Sequence, residues 1–275
     1  MLSEVKGKVL IAIDTSLKEP YISLTRDGPL QTWVPVEVTD VETVIYYSKE
    51  PGHFLIWLNA LIENWRWRGG SPKAYLVSAC LYFFLLPFRV FVPSYSVGHF
   101  FEGPVRQIQI KLPETLFAQR WKKLAMMDYF INHSSCDYLL LVTPSCYIHK
   151  SLLIDILNVL PKDKDIYSGS LQRNHDGPFI AGGALLINRE VAHNFLANKF
   201  LIPTHTMDDV GIGILASKLG ITLNELQAMS IDLLGAEDFL RAKQSFYVRL
   251  KSSFEGKRMD ATLMQQFHKE VHQSD

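Results

Sequence analysis

Short apolar runs alternate with helical patterns along most of the 275-residue chain, and this alternation limits the possible folds more than any other feature. Each run is rich in β-branched residues or leucine and ends at a polar residue or a glycine, which is typical of buried parallel strands. Four runs are predicted to be strands of one sheet: 9–13, 43–47, 138–142 and 179–187. The sequence therefore predicts an α/β fold, a single domain over 1–275 with a mixed, mostly parallel sheet flanked by helices.

The predicted helices are recognised from apolar spacing and from the residues at their ends. Apolar residues recur every three or four positions over 54–67, and a helix over 112–131 would carry Glu114 in its first turn. A further helix is predicted to begin at Asp208, as its N-cap, and to end at Gly220. These helices would cover the faces of the sheet.

The charge balance and the cysteines limit the classes of function. Lys and Arg together number 28, as do Asp and Glu, so no net field favours nucleic acid and no nucleic-acid partner is expected. Three cysteines are too few for a secreted disulfide framework, which favours a reducing compartment. The apolar run at 9–13 is too short for a signal peptide. A cytoplasmic protein is therefore expected.

The longest apolar stretch, 74–87, has two interpretations. Its fourteen residues fall short of the roughly twenty that a membrane-spanning helix needs. Tryptophans and basic residues flank it within 65–93, a composition found in segments that lie at a membrane interface. A buried core helix is the favoured interpretation, and peripheral contact with the inner membrane surface is the alternative.

One group of residues has the ligand types of a zinc site: His133, Cys136, Cys146 and His149. The strand predicted between the two cysteines rises about 3.3 Å per residue, which would separate the two pairs by on the order of 20 Å. Tetrahedral ligands must converge on one ion. No zinc site is therefore expected, and no metal ligand is assigned.

Two segments carry the strongest functional signal. A double glycine at 182–183 interrupts a predicted strand, and Asp208-Asp209 opens a predicted helix that continues past Gly213. In isolation the two aspartates are an ordinary helix start, with a cap and a first-turn acid. In this order and spacing, however, the segments over about 120–260 resemble the GT-A glycosyltransferases of the Fringe and β-1,3-galactosyltransferase type, in their small bacterial or viral branch.

The resemblance implies a Rossmann-like GT-A domain that transfers a sugar from a nucleotide-diphosphate donor, expected to be a UDP-sugar, to a hydroxyl of a glycan or lipid-linked acceptor. Residues 1–110 would form the nucleotide-binding half, and 111–275 the donor and acceptor half. Asp209 occupies the family's position for the base, which must lie within hydrogen-bond reach of the attacking hydroxyl. Asp208 would cap the helix or orient sugar hydroxyls.

The resemblance also implies contacts with the donor. Gly182 and Gly183 would let the backbone pass close under a sugar, which a Cβ would obstruct. Asp14 and Thr15 lie at the end of the first strand, where the nucleotide binds in this fold. An ordinary strand-end turn explains these two residues equally well.

The chain departs from the family at the metal site. The family places Asp-x-Asp at the end of its central strand, where this chain has Thr143-Pro144-Ser145, and uncharged hydroxyls bind divalent ions weakly. The literal Asp163-Lys164-Asp165 precedes a strand and is interpreted as a solvated loop. No tight metal site is therefore expected. The diphosphate would be met by cations that could each equally be ordinary surface residues: Arg249, Lys251, and Lys122 or Lys123.

Two other classes of function remain open. Loss of the metal motif would also suit a catalytically silent GT-A-like domain that binds a sugar nucleotide or a partner protein. The segment 65–93 would suit a peripheral membrane scaffold. Transfer assays with nucleotide sugars separate the first class from an enzyme, and liposome sedimentation tests the second.

Overall fold

The computed structural model describes residues 7–49, 92–114, 118–161, 164–203, 206–226 and 242–272. Within these ranges six α-helices are present: α1 Tyr21–Asp27, α2 Gln119–His133, α3 Lys150–Val159, α4 Arg189–Ala197, α5 Asp208–Lys218 and α6 Asp260–His272. The same ranges contain twelve strands: β1 Val9–Thr15, β2 Val41–Ser48, β3 Tyr95–Gly98, β4 Arg106–Ile110, β5 Tyr138–Val142, β6 Cys146–Ile148, β7 Tyr167–Asn174, β8 Gly177–Asn188, β9 Leu223–Glu225, β10 Tyr247–Arg249, β11 Ser253–Phe254 and β12 Lys257–Arg258.

Eight of the strands form one sheet in the order β3-β4-β2-β1-β5-β8-β7-β9. Four of its seven pairings are parallel: β1 with β2, β1 with β5, β2 with β4, and β7 with β9. The other three are antiparallel: β3 with β4, β5 with β8, and β7 with β8. The four predicted strands are β1, β2, β5 and β8, so the prediction of one mixed, mostly parallel sheet is confirmed.

Alternation along β1 divides the core between the two faces of the sheet. Leu10 and Ala12 belong to the cluster covered by α2, α4 and α5. Val9, Ile11 and Ile13 belong to the cluster covered by α3 and α6. All five side chains are fully buried. Because both faces are covered, the strand is apolar until its carboxyl end, where its polar residues are concentrated.

The start of α2 differs from the expectation. The helix predicted over 112–131 begins at Gln119, so Glu114 lies before the helix and not in its first turn. The backbone N–H of Leu112 instead donates to the carbonyl of Ile110, which continues the turn that ends β4. Glu114 is thereby free to point toward the strand ends.

The two ends of α5 give one correction and one confirmation. Asp208 is the first helical residue and not the N-cap; the cap is Met207, which makes no side-chain capping bond. The carboxylate of Asp208 is engaged elsewhere, as described below. The predicted end is confirmed, since Gly220 follows the C-cap residue in the left-handed region at φ +70°.

Several predicted features lie outside the described residues: the helix over 54–67, the apolar segment 74–87, all of 65–93 except its last two residues, and Asp163 of the literal Asp-x-Asp. Asp165, the last residue of that motif, is exposed in the loop before β7. Within the described part of the chain, none of the helices has the length and apolar character that crossing a membrane requires.

Candidate active site

A cavity of about 530 Å³ opens at the carboxyl ends of β1 and β5, the edge at which open α/β sheets bind ligands. Three of the eleven residues assigned to the site from the sequence do not line it: Lys122, Gly183 and Asp209. The other eight do: Asp14, Thr15, Thr143, Ser145, Gly182, Asp208, Arg249 and Lys251. The structure therefore brings residues from both halves of the sequence to one cavity.

The first turns of α2 direct three polar side chains toward this edge of the sheet. Gln119, Lys122 and Lys123 have i, i+3, i+4 spacing, which places them on one face of the helix. Gln119 and Lys123 line the cavity, whereas Lys122 is fully buried beneath it. The donor-binding role expected of Lys122 stays a prediction, and the structure places its ammonium group beneath the cavity and not in the lining.

Lys122 instead holds two acidic residues in place. Its Nζ lies 2.6 Å from Asp14 Oδ1 and 3.5 Å from Glu114 Oε1, and it donates to the carbonyl of Thr15 at 2.5 Å. Burial raises the pKa of both carboxyl groups, while the charge of Lys122 acts in the opposite direction. The lysine thus compensates carboxylates that belong to separate strand ends.

A second buried pair joins α2 to α5. Lys123 Nζ lies 2.5 Å from Asp208 Oδ2, and both residues line the cavity. Burial opposes ionisation of each partner, but the pairing outweighs it: the pKa of Asp208 lies below its ordinary value and the pKa of Lys123 lies above. Both groups are therefore charged at neutral pH. We call the five residues of the two networks the buried floor: Asp14, Glu114, Lys122, Lys123 and Asp208.

Asp209 lies beside the cavity but is not part of its lining. Its Oδ2 accepts a hydrogen bond from the backbone N–H of Gly182 at 3.1 Å, and its Oδ1 accepts one from the N–H of Val210 at 2.9 Å. Gly182 itself does line the cavity. The half-buried carboxylate of Asp209 is thus fixed directly behind the backbone that forms one wall.

The two glycines of β8 have different neighbours. A Cβ on Gly182 would lie 3.2 Å from Lys123 Nζ and 3.5 Å from Asp209 Oδ2, so a side chain here would press on the charged groups of the site. A Cβ on Gly183 would collide with the hydroxyl of Tyr247 on β10. The structure therefore shows a close approach of Gly183 to a side chain of β10, and its expected contact with a sugar stays a prediction.

A group of three cations near the end of the sequence also lines the cavity. Arg249, Lys251 and Arg258 follow one another in the segment that contains β10 to β12, and we call them the cationic rim. Arg258 is held in place: its Nε donates to the fully buried Asp260 at 2.8 Å, and its Nη2 donates to Ser145 Oγ at 3.3 Å. Arg249 has a buried Nε without a hydrogen-bond partner among the described residues.

The residues at the end of β5 do not fit a divalent-cation site. Thr143 Oγ1 lies 3.1 Å from the thiol of Cys146. Ser145 Oγ accepts a hydrogen bond from the guanidinium group of Arg258. Hydroxyls provide no negative charge, and a guanidinium at this position would repel a divalent ion. Over the described ranges, no group of three or more His, Cys, Asp and Glu side chains could hold a metal ion.

The cysteines of the zinc alternative are on opposite sides of the sheet. Cys136 is buried in the cluster under α2, α4 and α5, and Cys146 is buried in the cluster under α3 and α6. The sheet therefore separates the two thiols. This agrees with the geometric argument that the His133–Cys136 and Cys146–His149 pairs do not converge.

The sequence analysis missed three lining residues that bear on the chemistry: Glu114, Gln119 and Arg258. The positions of Glu114 and Gln119 follow from where α2 begins. The surrounding tertiary structure sets that residue, and the local sequence does not. Arg258 stands two residues before an acidic residue at a helix start, and such a pair can form an ion pair that orients the arginine. That spacing is the one signal that could have identified it.

Comparison with known proteins gives similarity in structure alone. No protein-family profile matches the sequence, and no curated protein sequence is detectably similar to it. Solved structures with a similar chain trace include the glycosyltransferase GlyE of Streptococcus pneumoniae TIGR4, also determined in its apo form, and the mannosyltransferase PcManGT of Pyrobaculum calidifontis in complex with GDP-Man and Mn²⁺.

The extent of these similarities is limited. The two GlyE structures align with 96% of this chain and 60% of their own at 12% identity, with TM-scores of 0.47 and 0.46. PcManGT aligns with 87% of this chain and 62% of its own at 12% identity, with a TM-score of 0.42. The chain thus spans less than two thirds of the length of these structures.

Proposed function

We propose that the chain is an inverting glycosyltransferase of the Fringe and β-1,3-galactosyltransferase type. It would transfer a sugar from a nucleotide-diphosphate donor to a hydroxyl of a glycan or lipid-linked acceptor. The observation that carries this proposal is that one cavity is lined both by the cationic rim and by carboxylates of the buried floor. A nucleotide sugar can use both kinds of group, because its anionic diphosphate joins two rings that carry hydroxyls.

The cationic rim is suited to the diphosphate. Arginine makes bidentate contacts with phosphate oxygens, and Arg249 has hydrogen-bonding capacity that no described residue uses. Negative charge on the leaving diphosphate grows as the glycosidic bond breaks, so fixed cations stabilise the transition state more than the ground state. Arg258, oriented by Asp260, meets that requirement of a fixed position. In this proposal the cations act where the resembled family uses a metal ion.

Asp209 is the proposed base. In an inverting transfer the acceptor oxygen bonds to the anomeric carbon, its proton passes to a carboxylate, and the diphosphate leaves with the electrons of the broken bond. The hydrogen bond to Gly182 holds the Asp209 carboxylate next to the wall over which a sugar would lie. Asp208 is not the proposed base, because its carboxylate is paired with the ammonium of Lys123.

One observation favours the alternative of a catalytically silent binding domain. Both oxygens of Asp209 already accept backbone hydrogen bonds, and its side chain is not part of the cavity lining. A chain in which this carboxylate only supports the wall would still bind a sugar nucleotide through its rim. Both functions predict binding of a sugar nucleotide, but only the enzyme would transfer the sugar.

The test is an assay with a panel of UDP- and GDP-sugars. The chain is incubated with each donor, released nucleotide is quantified, and proton NMR determines the anomeric configuration of the product. We expect turnover of one donor with inversion. Retention would contradict the inverting mechanism, tight binding without turnover would support the silent domain, and neither binding nor turnover would refute both.

A further inference from the structure

Outside the cavity described above, three histidines meet where α6 packs against β6. His268 and His272 lie one turn apart on α6, with their ring centroids separated by 4.4 Å. The hydroxyl of Tyr147 on β6 lies 2.9 Å from Nδ1 of His268. His149 follows β6 directly, and with His272 it lines a separate cavity of about 50 Å³. We call these four side chains the histidine cluster.

The surroundings of the cluster disfavour positive charge. Partial burial lowers the pKa of His149 and of His268, and the neighbouring His272 lowers both further. His149 is also the N-cap residue of α3, and the dipole of that helix opposes a cation there. The next residue, Lys150, lines the same small cavity; burial lowers its pKa to about 8, which leaves it mostly charged at neutral pH. A proton on His149 would therefore face a second cation.

The elements around the cluster carry further charged side chains. They are Arg26 and Asp27 on α1, Glu37 in the loop before β2, Asp155 on α3, Lys243 before β10, Arg249 on β10, and Lys269 and Glu270 on α6. Asp155 acts to raise the pKa of His149, but burial and His272 outweigh it. The carbonyl groups at the end of α6 attract positive charge, so repulsion develops mainly at the two histidines whose pKa is lowered. The closed cluster thus opposes protonation of His149 and His268.

The helix α6 connects this cluster to the cationic rim. Its first residue, Asp260, is fully buried and accepts a hydrogen bond from Nε of Arg258 at 2.8 Å. Near its other end, Phe267 is buried, and its ring lies edge to face with that of Tyr147 at 4.9 Å. A helix of 13 residues is marginal in water unless packing supports it. Loss of packing at the histidines should therefore loosen the helix as far as Asp260.

We propose that the histidine cluster is an acid-sensitive latch: protonation of His149 and His268 releases α6 from β6 and thereby frees Arg258 from its fixed position in the rim. The consequence for ligand binding rests on the proposed function. In the open state an imidazole has its ordinary pKa of about 6.5, whereas in the closed state the pKa is lower. The latch is therefore closed above that pH and opens as the pH falls below it.

The experiment measures hydrogen–deuterium exchange of the intact chain at about pH 7.5 and about pH 5.5, with correction for the intrinsic exchange rates. Protection factors are compared over 261–272 in the wild type and in the double variant His149→Gln/His268→Gln. His193→Gln is the matched control, because His193 is an exposed histidine of α4, which covers the opposite face of the sheet. Isothermal titration calorimetry with UDP, or GDP if the wild type prefers it, is performed at both pH values.

The expected result follows from the linkage between protonation and opening. Over this interval each histidine that the closed latch keeps neutral contributes up to about tenfold, so protection of α6 in the wild type should fall by about tenfold to a hundredfold. The fall should shrink to about threefold or less in the double variant and be unchanged in His193→Gln. If thermal unfolding shows that the double variant does not fold, His272→Gln, at an exposed position, should reduce the fall by removing the repelling charge.

The nucleotide measurement tests the link to the rim. Acidification should weaken UDP binding at least about threefold more in the wild type than in the double variant, because carboxyl groups of the floor titrate in both. An equal fall in protection in the wild type and the double variant would overturn the latch. Equal weakening of UDP binding would overturn its link to Arg258. A wild type that binds no nucleotide refutes the proposed function and the effect on binding, while the exchange data still decide the latch.

Discussion

The buried floor and the cationic rim are both charged walls of one cavity, yet they are built differently. In the floor, Lys122 and Lys123 are buried and each pairs with a carboxylate. In the rim, Arg258 also pairs with a carboxylate, that of Asp260, but Lys251 is exposed and Arg249 has an Nε that no described residue satisfies. Side chains that form ion pairs with one another fix the shape of a site. Cations without an ion-pair partner can instead bind an anionic ligand. Substitutions in the floor should therefore mainly lower the free energy of unfolding, and substitutions in the rim should mainly lower the affinity for a ligand.

The largest effect is expected from the centre of the floor. Lys122→Met leaves Asp14 and Glu114 without their shared counter-charge, and removing one partner of a buried pair costs about 3–5 kcal/mol in the free energy of unfolding. Urea denaturation measures this loss. The control Lys251→Ala, on the exposed rim, should change the free energy of unfolding by no more than about 0.5 kcal/mol. Equal losses of unfolding free energy in the two variants would contradict the proposed difference between floor and rim.

The second effect is on chemistry at the edge of the floor. Asp209→Asn removes the proposed base, so turnover of the nucleotide sugar should fall by on the order of a hundredfold or more. The asparagine amide keeps one of the two oxygens that accept hydrogen bonds from the N–H groups of Gly182 and Val210. The free energy of unfolding should therefore fall by only about 1 kcal/mol. Steady-state kinetics and thermal melts measure both quantities. If turnover were retained, the role of base would pass to Asp208.

The third effect belongs to the rim. Arg249→Ala should weaken binding of UDP by roughly tenfold to a hundredfold, the value of hydrogen bonds to a charged group, with little change in melting temperature. Arg258→Ala should lower both affinity and melting temperature, because it also strips the buried Asp260 of its partner. Calorimetry and thermal melts of the two variants compare them directly. Identical profiles would contradict the supporting role of Asp260.

The smallest effect is expected from removing metal. Treatment with EDTA should leave turnover within about twofold of its starting value, since the end of β5 offers hydroxyls and a guanidinium but no carboxylate. Activity assays before and after chelation measure this. Complete loss with EDTA that Mn²⁺ restores would reveal a metal site, and Asp208 would be the first carboxylate to examine.

The sequence was sufficient for the sheet and for the edge that carries the site. Strands such as β1 and β5 are buried on both faces, so their apolar runs identify them whatever surrounds them. The carboxyl ends of parallel strands then meet at one edge, which places Asp14 and Thr143 together without knowledge of any contact. These inferences depend on local pattern and general topology alone.

The sequence was insufficient where tertiary contacts select between neighbours. Lys122 and Lys123 are adjacent on α2 and chemically identical, but a rotation of about 100° per residue places one beneath the cavity and the other in its wall. Glu114 was misplaced because the beginning of α2 depends on packing against the strand ends. Arg258 reaches the site only through the turn between β11 and β12, which has no apolar pattern.

The pairing of β10 with β6 sets the order in which the site can be assembled during synthesis. The strands β1, β2 and β5 can pair as soon as residue 142 has left the ribosome, because domains begin to fold from their first completed elements. β6 has no other partner strand among the described residues until Tyr247–Arg249 arrives. The wall that would hold the phosphates therefore forms after the sheet, and until then a nascent chain exposes a strand edge that can pair with another molecule.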